Sequence, residues 1–185
     1  MTRYLITLAA ITITAALFTW QHASQPTAAV DDSSAHTLQQ WQQIDPDQVK
    51  EINIRHDSAM VHLNRQGDSW MVADRYGSVE ADKSSVTQLL KSISEMRPQR
   101  VVSSNPQNFA LFRVTDSADR LTLKGSSGAL LLDILVGKPG TDLISTTIRP
   151  VGSNSIISVN RSLAWQMGRS PDSWRREKRG SSGSS

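Results

Sequence analysis

His56-Asp57-Ser58 places the three residue types of a hydrolytic triad side by side. In a working triad a carboxylate orients a histidine that takes the proton of a nucleophile, and the three come from separate elements. Neighbours on an extended chain point in different directions. The run therefore reads as a solvated polar turn between two strands. His56 and His62, with Asp57, are also metal-ligand types. A catalytic zinc commonly takes three protein ligands in fixed geometry, and the other histidines, His22 and His36, fall in a polar N-terminal stretch. A solvent-facing strand histidine is the expectation, with no metal and no cofactor implied.

Gly137-Lys138-Pro139-Gly140 invites comparison with a phosphate loop. It lacks the Gly-x-x-x-x-Gly-Lys-Ser/Thr spacing, and no helix follows to offer amides to a phosphate. A strand-to-strand turn is expected. Arg149 ends an apolar strand and either pairs with an acid such as Asp133 or marks a ligand site; pairing is the stronger reading. Arg169, Arg175, Arg176, Lys178 and Arg179 make the C-terminal stretch basic, with Asp172 and Glu177 partly offsetting them. Such a stretch suits anionic headgroups or an acidic partner, or is a solvated end. Trp174, after a proline turn, either staples the terminus onto the sheet or anchors a partner. Arg149, Trp174, Arg175 and Arg176 are thus the candidate partner contacts.

Composition narrows the classes. The 185 residues include no cysteine, which removes disulfides, thiolate nucleophiles, Cys-bearing zinc sites and a lipidated N-terminal cysteine. A net charge of +3 is too small for a nucleic-acid reading of the whole domain.

The elements that must position these residues start with an uncharged apolar run at 4–20, behind residues 1–3 with Arg3. As a helix, its apolar part would be roughly 24 Å long, somewhat short of a ~30 Å hydrocarbon layer. Tyr4 and Trp20 bracket it at the interfaces. It reads as an uncleaved anchor, the alternative being a signal peptide cut near Pro26-Thr27-Ala28-Ala29. Residues 21–42 form a polar tether, 43–178 the folded domain and 179–185 a flexible Gly/Ser tail. Within the domain, 49–54 and 59–65 alternate apolar and polar, the mark of half-buried strands, and Gln66-Gly67-Asp68 turns the second into 69–72. Trp70 is expected in the core. Val86, Leu89, Leu90, Ile93 and Met96 then share one face of a helix capped by Asp82 and stopped by Pro98. Strands are expected at 100–103, 120–124, 129–136, 143–149 and 156–159, with a short helix at 162–168. The predicted fold is α+β: a mostly antiparallel twisted sheet with one long amphipathic helix packed on it, preceded by a single N-terminal membrane segment.

Several stretches in register carry a family resemblance. They are Leu63-Asn64-Arg65 with Gly67-Asp68-Ser69-Trp70-Met71-Val72, Ala81-Asp82 with Leu89-Leu90, Arg100-Val101-Val102, Leu132-Asp133-Ile134-Leu135-Val136-Gly137-Lys138, Thr146-Thr147-Ile148-Arg149-Pro150 and Pro171-Asp172-Ser173-Trp174-Arg175. Across 49–178 the chain resembles the DUF4340 family, a domain of unknown function in bacterial envelope proteins. The resemblance implies one N-terminal membrane tether and, for some members, association with gliding-type ABC transport systems. It carries over no catalytic residues. Longer members continue past the Trp-Arg motif with further strands or a second copy, where this sequence is short.

The expected function is a membrane-tethered, exported, non-enzymatic domain that binds another envelope component, as an accessory to an ABC-type transport system. Its expected place is the bacterial inner membrane, single-pass, with the domain on the periplasmic side, or the periplasm itself after cleavage. The alternatives are an envelope hydrolase using His56 or His62, and a passive structural protein.

Overall fold

The computed structural model describes residues 44–74 and 77–176. The expected membrane segment, the tether and the Gly/Ser tail lie outside those residues. No helix among the described residues is long and apolar enough to cross a membrane.

Alternation gives the strands their two faces. In β1 (Glu51–His56) Ile52 and Ile54 are buried, while Glu51, Asn53 and Arg55 point the other way. Asp57, in the left-handed region at φ 49°, turns β1 tightly into β2 (Ala59–Gln66), which buries Val61 and Leu63. Gly67 supplies φ 60° for the turn into β3 (Ser69–Asp74), where Trp70 and Val72 are buried. A strand that carries almost no apolar pattern, β4 (Gly77–Glu80), then pairs with β3.

The helix α1 (Lys83–Ser94) begins at Asp82, whose carboxylate accepts from Ser85 N at 2.9 Å and from the Ser84 and Ser85 hydroxyls. These bonds hold the Asp82 carboxyl down to about 2, well below its usual 3.8. Val86, Leu89, Leu90 and Ile93 enter the core. The helix is 12 residues, the longest among the described residues. The single long helix expected from the sequence is therefore corrected to about three turns. The chain leaves the helix at Glu95, and Pro98 opens a strand, β5 (Pro98–Ser103).

Residues 104–118 form no strand. They hold a 3-10 turn at Pro106–Asn108 and the single-turn helix α2 (Phe109–Phe112). Then come β6 (Asp119–Lys124), β7 (Leu130–Pro139), β8 (Thr146–Pro150), β9 (Ile156–Val159), the short α3 (Ala164–Met167) and a 3-10 turn at Pro171–Trp174. The nine strands make one sheet in the order β4-β3-β2-β1-β6-β7-β8-β9-β5, and every pair is antiparallel.

Two of the boundary differences change an expected turn. Gly137, Lys138 and Pro139 belong to β7 rather than to a turn, and the turn follows at Gly140. The strand expected at 143–149 starts only at Thr146. Asp142 accepts from Ile144 N and Ser145 N, and Leu143 adopts φ 60°, so the apolar pair Leu143-Ile144 sits exposed in a side-chain-capped turn.

One face of the sheet carries the main core. Ile52, Ile54, Val61, Leu63, Val72, Leu121, Leu123, Leu132, Ile134, Ile148 and Ile157 meet Leu89 and Ile93 of α1 and Leu163 and Met167 around α3. Gln166 of α3 donates to Ser92 of α1, tying the two helices together. Burying one Leu or Ile side chain contributes about 1.5–3 kcal/mol, so this face dominates stability. The opposite face has a smaller apolar patch. Val114, Leu135 and Ile156 are buried there with Phe109, Phe112, Val102 and Ala118 around them, so residues 104–118 lie as a flap over β7, β8 and β9.

Candidate functional site

Strand register sorts the polar residues into rows across the face that bears the flap. Arg55 stands opposite Arg120, Arg120 opposite Leu135 and Leu135 opposite Arg149. Met60, opposite Arg55, extends that row and is 64% exposed. The next row holds His62, Asn53, Thr122 and Asp133. A third holds Asn64, Glu51 and Lys124. Three arginines thus fall in one line across the sheet, brought there by strands far apart in sequence.

Each guanidinium has a different task. Arg55 Nη2 donates to Asp116 O at 2.6 Å and to Ala118 O at 2.8 Å, fixing the end of the flap to β1. Arg149 is buried: its Nε donates to Val114 O at 2.7 Å, Nη1 to Ser153 O at 3.1 Å and Nη2 to Asp116 Oδ1 at 2.6 Å, while its plane covers the Phe109 ring at 4.1 Å. Arg120 grips Asp133 with both Nε and Nη2, a bidentate bond that raises its pKa further above its usual value. The acid expected opposite Arg149 is therefore taken by Arg120, and Arg149 takes Asp116 instead. Register explains the exchange. Asp133 stands opposite Thr122, one row away from Arg149, and Arg120 reaches it on the diagonal.

Between the flap, the arginine row and the turn after β8 lies a cleft of about 450 Å³, lined by Phe109, Asp116, Arg120, Leu135, Arg149 and residues 151–154. Where the chain crosses β7, only a glycine fits. A Cβ at Gly137 would lie 2.3 Å from Phe112 O and 2.6 Å from Val114 Cγ1.

The histidines fall on opposite faces. His62 is on the flap side, against the Asn53 side-chain oxygen, whose amide nitrogen donates to Glu51. The Asn53 bond, then the Lys124 ammonium at 3.0 Å, lowers the Glu51 pKa. His56 is on the helix side, its Nδ1 2.8 Å from Asp119 Oδ2 and its Nε2 3.7 Å from Asp57 Oδ2. Asp57 and Ser58 form an exposed turn. The sheet thus keeps His56 and His62 from sharing one site. Among the described residues, no group of three His, Asp or Glu could hold a metal ion.

The C-terminal candidates are far from Arg149. Trp174 is fully buried, with Arg169 over its ring at 4.5 Å, and its carbonyl accepts from Asp82 N. It staples the chain end across the start of α1 and presents nothing at the surface. Arg175 bridges to Ala81 and lies 3.3 Å from Asp172, while Arg176 meets Glu80 at 2.7 Å at the β4 edge. Six strand spacings, roughly 29 Å, separate that edge from β8. The four candidate contacts do not form one patch.

The sequence reading missed Arg55, Phe109, Asp116 and Arg120. Phe109, Phe112 and Val114 were the available signal, an apolar cluster in a stretch without strand pattern. A family model described as "Domain of unknown function (DUF4340)" matches residues 70–179, more than half of the chain. The match begins within β3, leaving β1 and all of β2 ahead of it. No curated protein and no solved structure matches.

Proposed function

This chain belongs to the DUF4340 family, a domain of unknown function, and we propose that it is an exported, membrane-tethered, non-enzymatic domain that binds another envelope protein. The apolar run at 4–20 is the membrane anchor and 21–42 the tether, and the family resemblance suggests a subunit of an ABC-type transport system as the partner. The observation that carries the binding reading is the open part of the sheet. Over β2, β1 and β6 the flap-side face is a set of hydrogen-bonding rows, from His62-Asn53-Glu51-Lys124 to Arg55, with Met60 exposed beside them. Half-buried polar rows around an exposed apolar side chain suit a protein surface that offers matching donors and acceptors.

Crosslinking of the full chain in intact membranes, followed by purification, tests this. One specific envelope protein is expected, and Asn53→Asp with Met60→Asp should abolish its capture without unfolding the domain. With the N-terminal segment intact, recovery of no specific partner overturns the proposal.

One observation favours the hydrolase reading: Asp119 orients His56 as a carboxylate orients a general base. His56→Ala decides it. Loss of the cellular phenotype while partner capture persists supports that chemistry, and an unchanged phenotype removes it.

A further inference from the structure

We propose that the cleft beside Arg149 binds a small amphipathic carboxylate, one anionic group on a short apolar stem. This goes beyond the partner reading above and does not rest on it.

Arg149 is an unusual cation. Its side chain is 6% exposed, yet Asp116, the carboxylate that faces it, is 94% exposed. Desolvating a guanidinium is costly, and a carboxylate in solvent returns little of that cost. The arrangement is therefore a poor device for stability. It does orient the guanidinium, through Val114 O, Ser153 O and the Phe109 ring. The three bonds to Val114, Ser153 and Asp116 use three of the five N–H groups of an arginine, leaving one donor on each terminal nitrogen. Asp116 reaches Nη2 from a solvated arm, in the position that a ligand carboxylate would take.

The surroundings select the ligand. Arg120 is already neutralised by its bidentate bond to Asp133. Displacing Asp116 therefore leaves about one positive charge at the cleft, which suits a monoanion better than a phosphate dianion. Leu135 is the buried floor between the two arginines, and Phe109 and Val151 supply the apolar wall. The volume of about 450 Å³ lies within the range of small-molecule sites. A carboxylate would bond Arg149 while its stem lies along Phe109 and Val151.

The test uses the full chain in lipid nanodiscs, with side-chain NMR of Arg149 and 3-phenylpropionate as the probe. Saturable binding is expected, at least about tenfold tighter than for acetate or 3-phenylpropan-1-ol, since both the charge and the stem contribute. Asp116→Asn should tighten binding several-fold by removing the competing carboxylate. Val151→Trp should abolish it at unchanged thermal stability, because Val151 is an exposed wall residue. No saturable shift at Arg149, equal affinity for the alcohol, or tighter binding of inorganic phosphate overturns the proposal. So does a folded Asp116→Asn protein that binds no better, or a folded Val151→Trp protein that binds as well.

Discussion

The two faces of this sheet are built on opposite principles from the same strands. On one, alternate residues of β1, β2, β6, β7, β8 and β9 meet α1, α3 and Trp174 in an apolar core. On the other, the alternate residues of β1, β2, β6 and β7 are mostly polar, and only the flap at 104–118 adds a small apolar cluster. The helix face is held by burial, which is non-directional and large. The flap face is held by guanidinium bonds from Arg55 and Arg149 to flap carbonyls, which are directional and individually modest. A protein arranged this way can alter contacts on one side without dissolving its fold. That is the physical case for placing recognition on the flap face.

The contrast breaks most visibly at its two anchor points. Trp174→Ala removes a fully buried ring from the helix face and should cost about 3–5 kcal/mol, read as a fall in the urea midpoint of the whole domain. Gly137→Val strikes the other side. Its side chain would collide with Phe112 O and Val114, and the overpacking should cost about 1–3 kcal/mol. The distribution of the loss is the sharper readout. Hydrogen exchange should rise across 104–118 while α1 keeps its protection. Equal loss of protection in α1 would mean that the faces are not separate.

The helix face was largely legible in the sequence, because its signals are local. The alternation in β1 and β2, the turn at Gly67 and the Asp82 cap each need only a few neighbouring residues. β4 was missed because Val79 is the only large apolar residue in Gly77-Ser78-Val79-Glu80. The start of β8 was misplaced because Leu143-Ile144 resembles strand sequence, whereas the Asp142 side chain makes it a turn. The flap face was hidden for a different reason. Arg55 and Arg120 each read as an outward strand residue, and only the pairing of β1 with β6, across more than sixty residues, sets them side by side. Arg149 stood out as a cation ending an apolar strand, but its partner, Asp116, lies in a stretch without periodicity.

Acid separates the faces with a smaller effect. The Asp82 carboxyl is held at about 2 by bonds from Ser85 and Ser84, against 3.8 ordinarily. A lowered folded-state value stabilises the protein above the unfolded value, and that contribution fades as pH falls from about 4 to about 2. Asp82→Ala should cost about 1 kcal/mol at neutral pH and flatten the loss across that window, as followed by urea midpoints. Glu51, on the flap face, is also lowered, first by Asn53 and then by Lys124. Its side chain is partly solvated, so Glu51→Gln should flatten the acid limb less than Asp82→Ala does. A larger effect from Glu51 would place more of the folding energy on the open rows than burial allows.

Met60 gives the smallest expected change in stability and the most selective one. It sits on β2 opposite Arg55, 64% exposed, with its side chain outside the apolar core. Met60→Ser should shift stability by less than about 0.5 kcal/mol, as for surface substitutions away from packed features. Recovery of the crosslinked partner should nevertheless fall, because an exposed thioether amid polar rows is the apolar point a docking protein would cover. Val61, its neighbour on the same strand, points into the core, so Val61→Ala should do the reverse and lower the urea midpoint while leaving capture by the folded fraction intact. The pair tests the separation of faces within two adjacent residues. If both substitutions lower stability equally, or both leave capture unchanged, the division of labour between the faces is wrong.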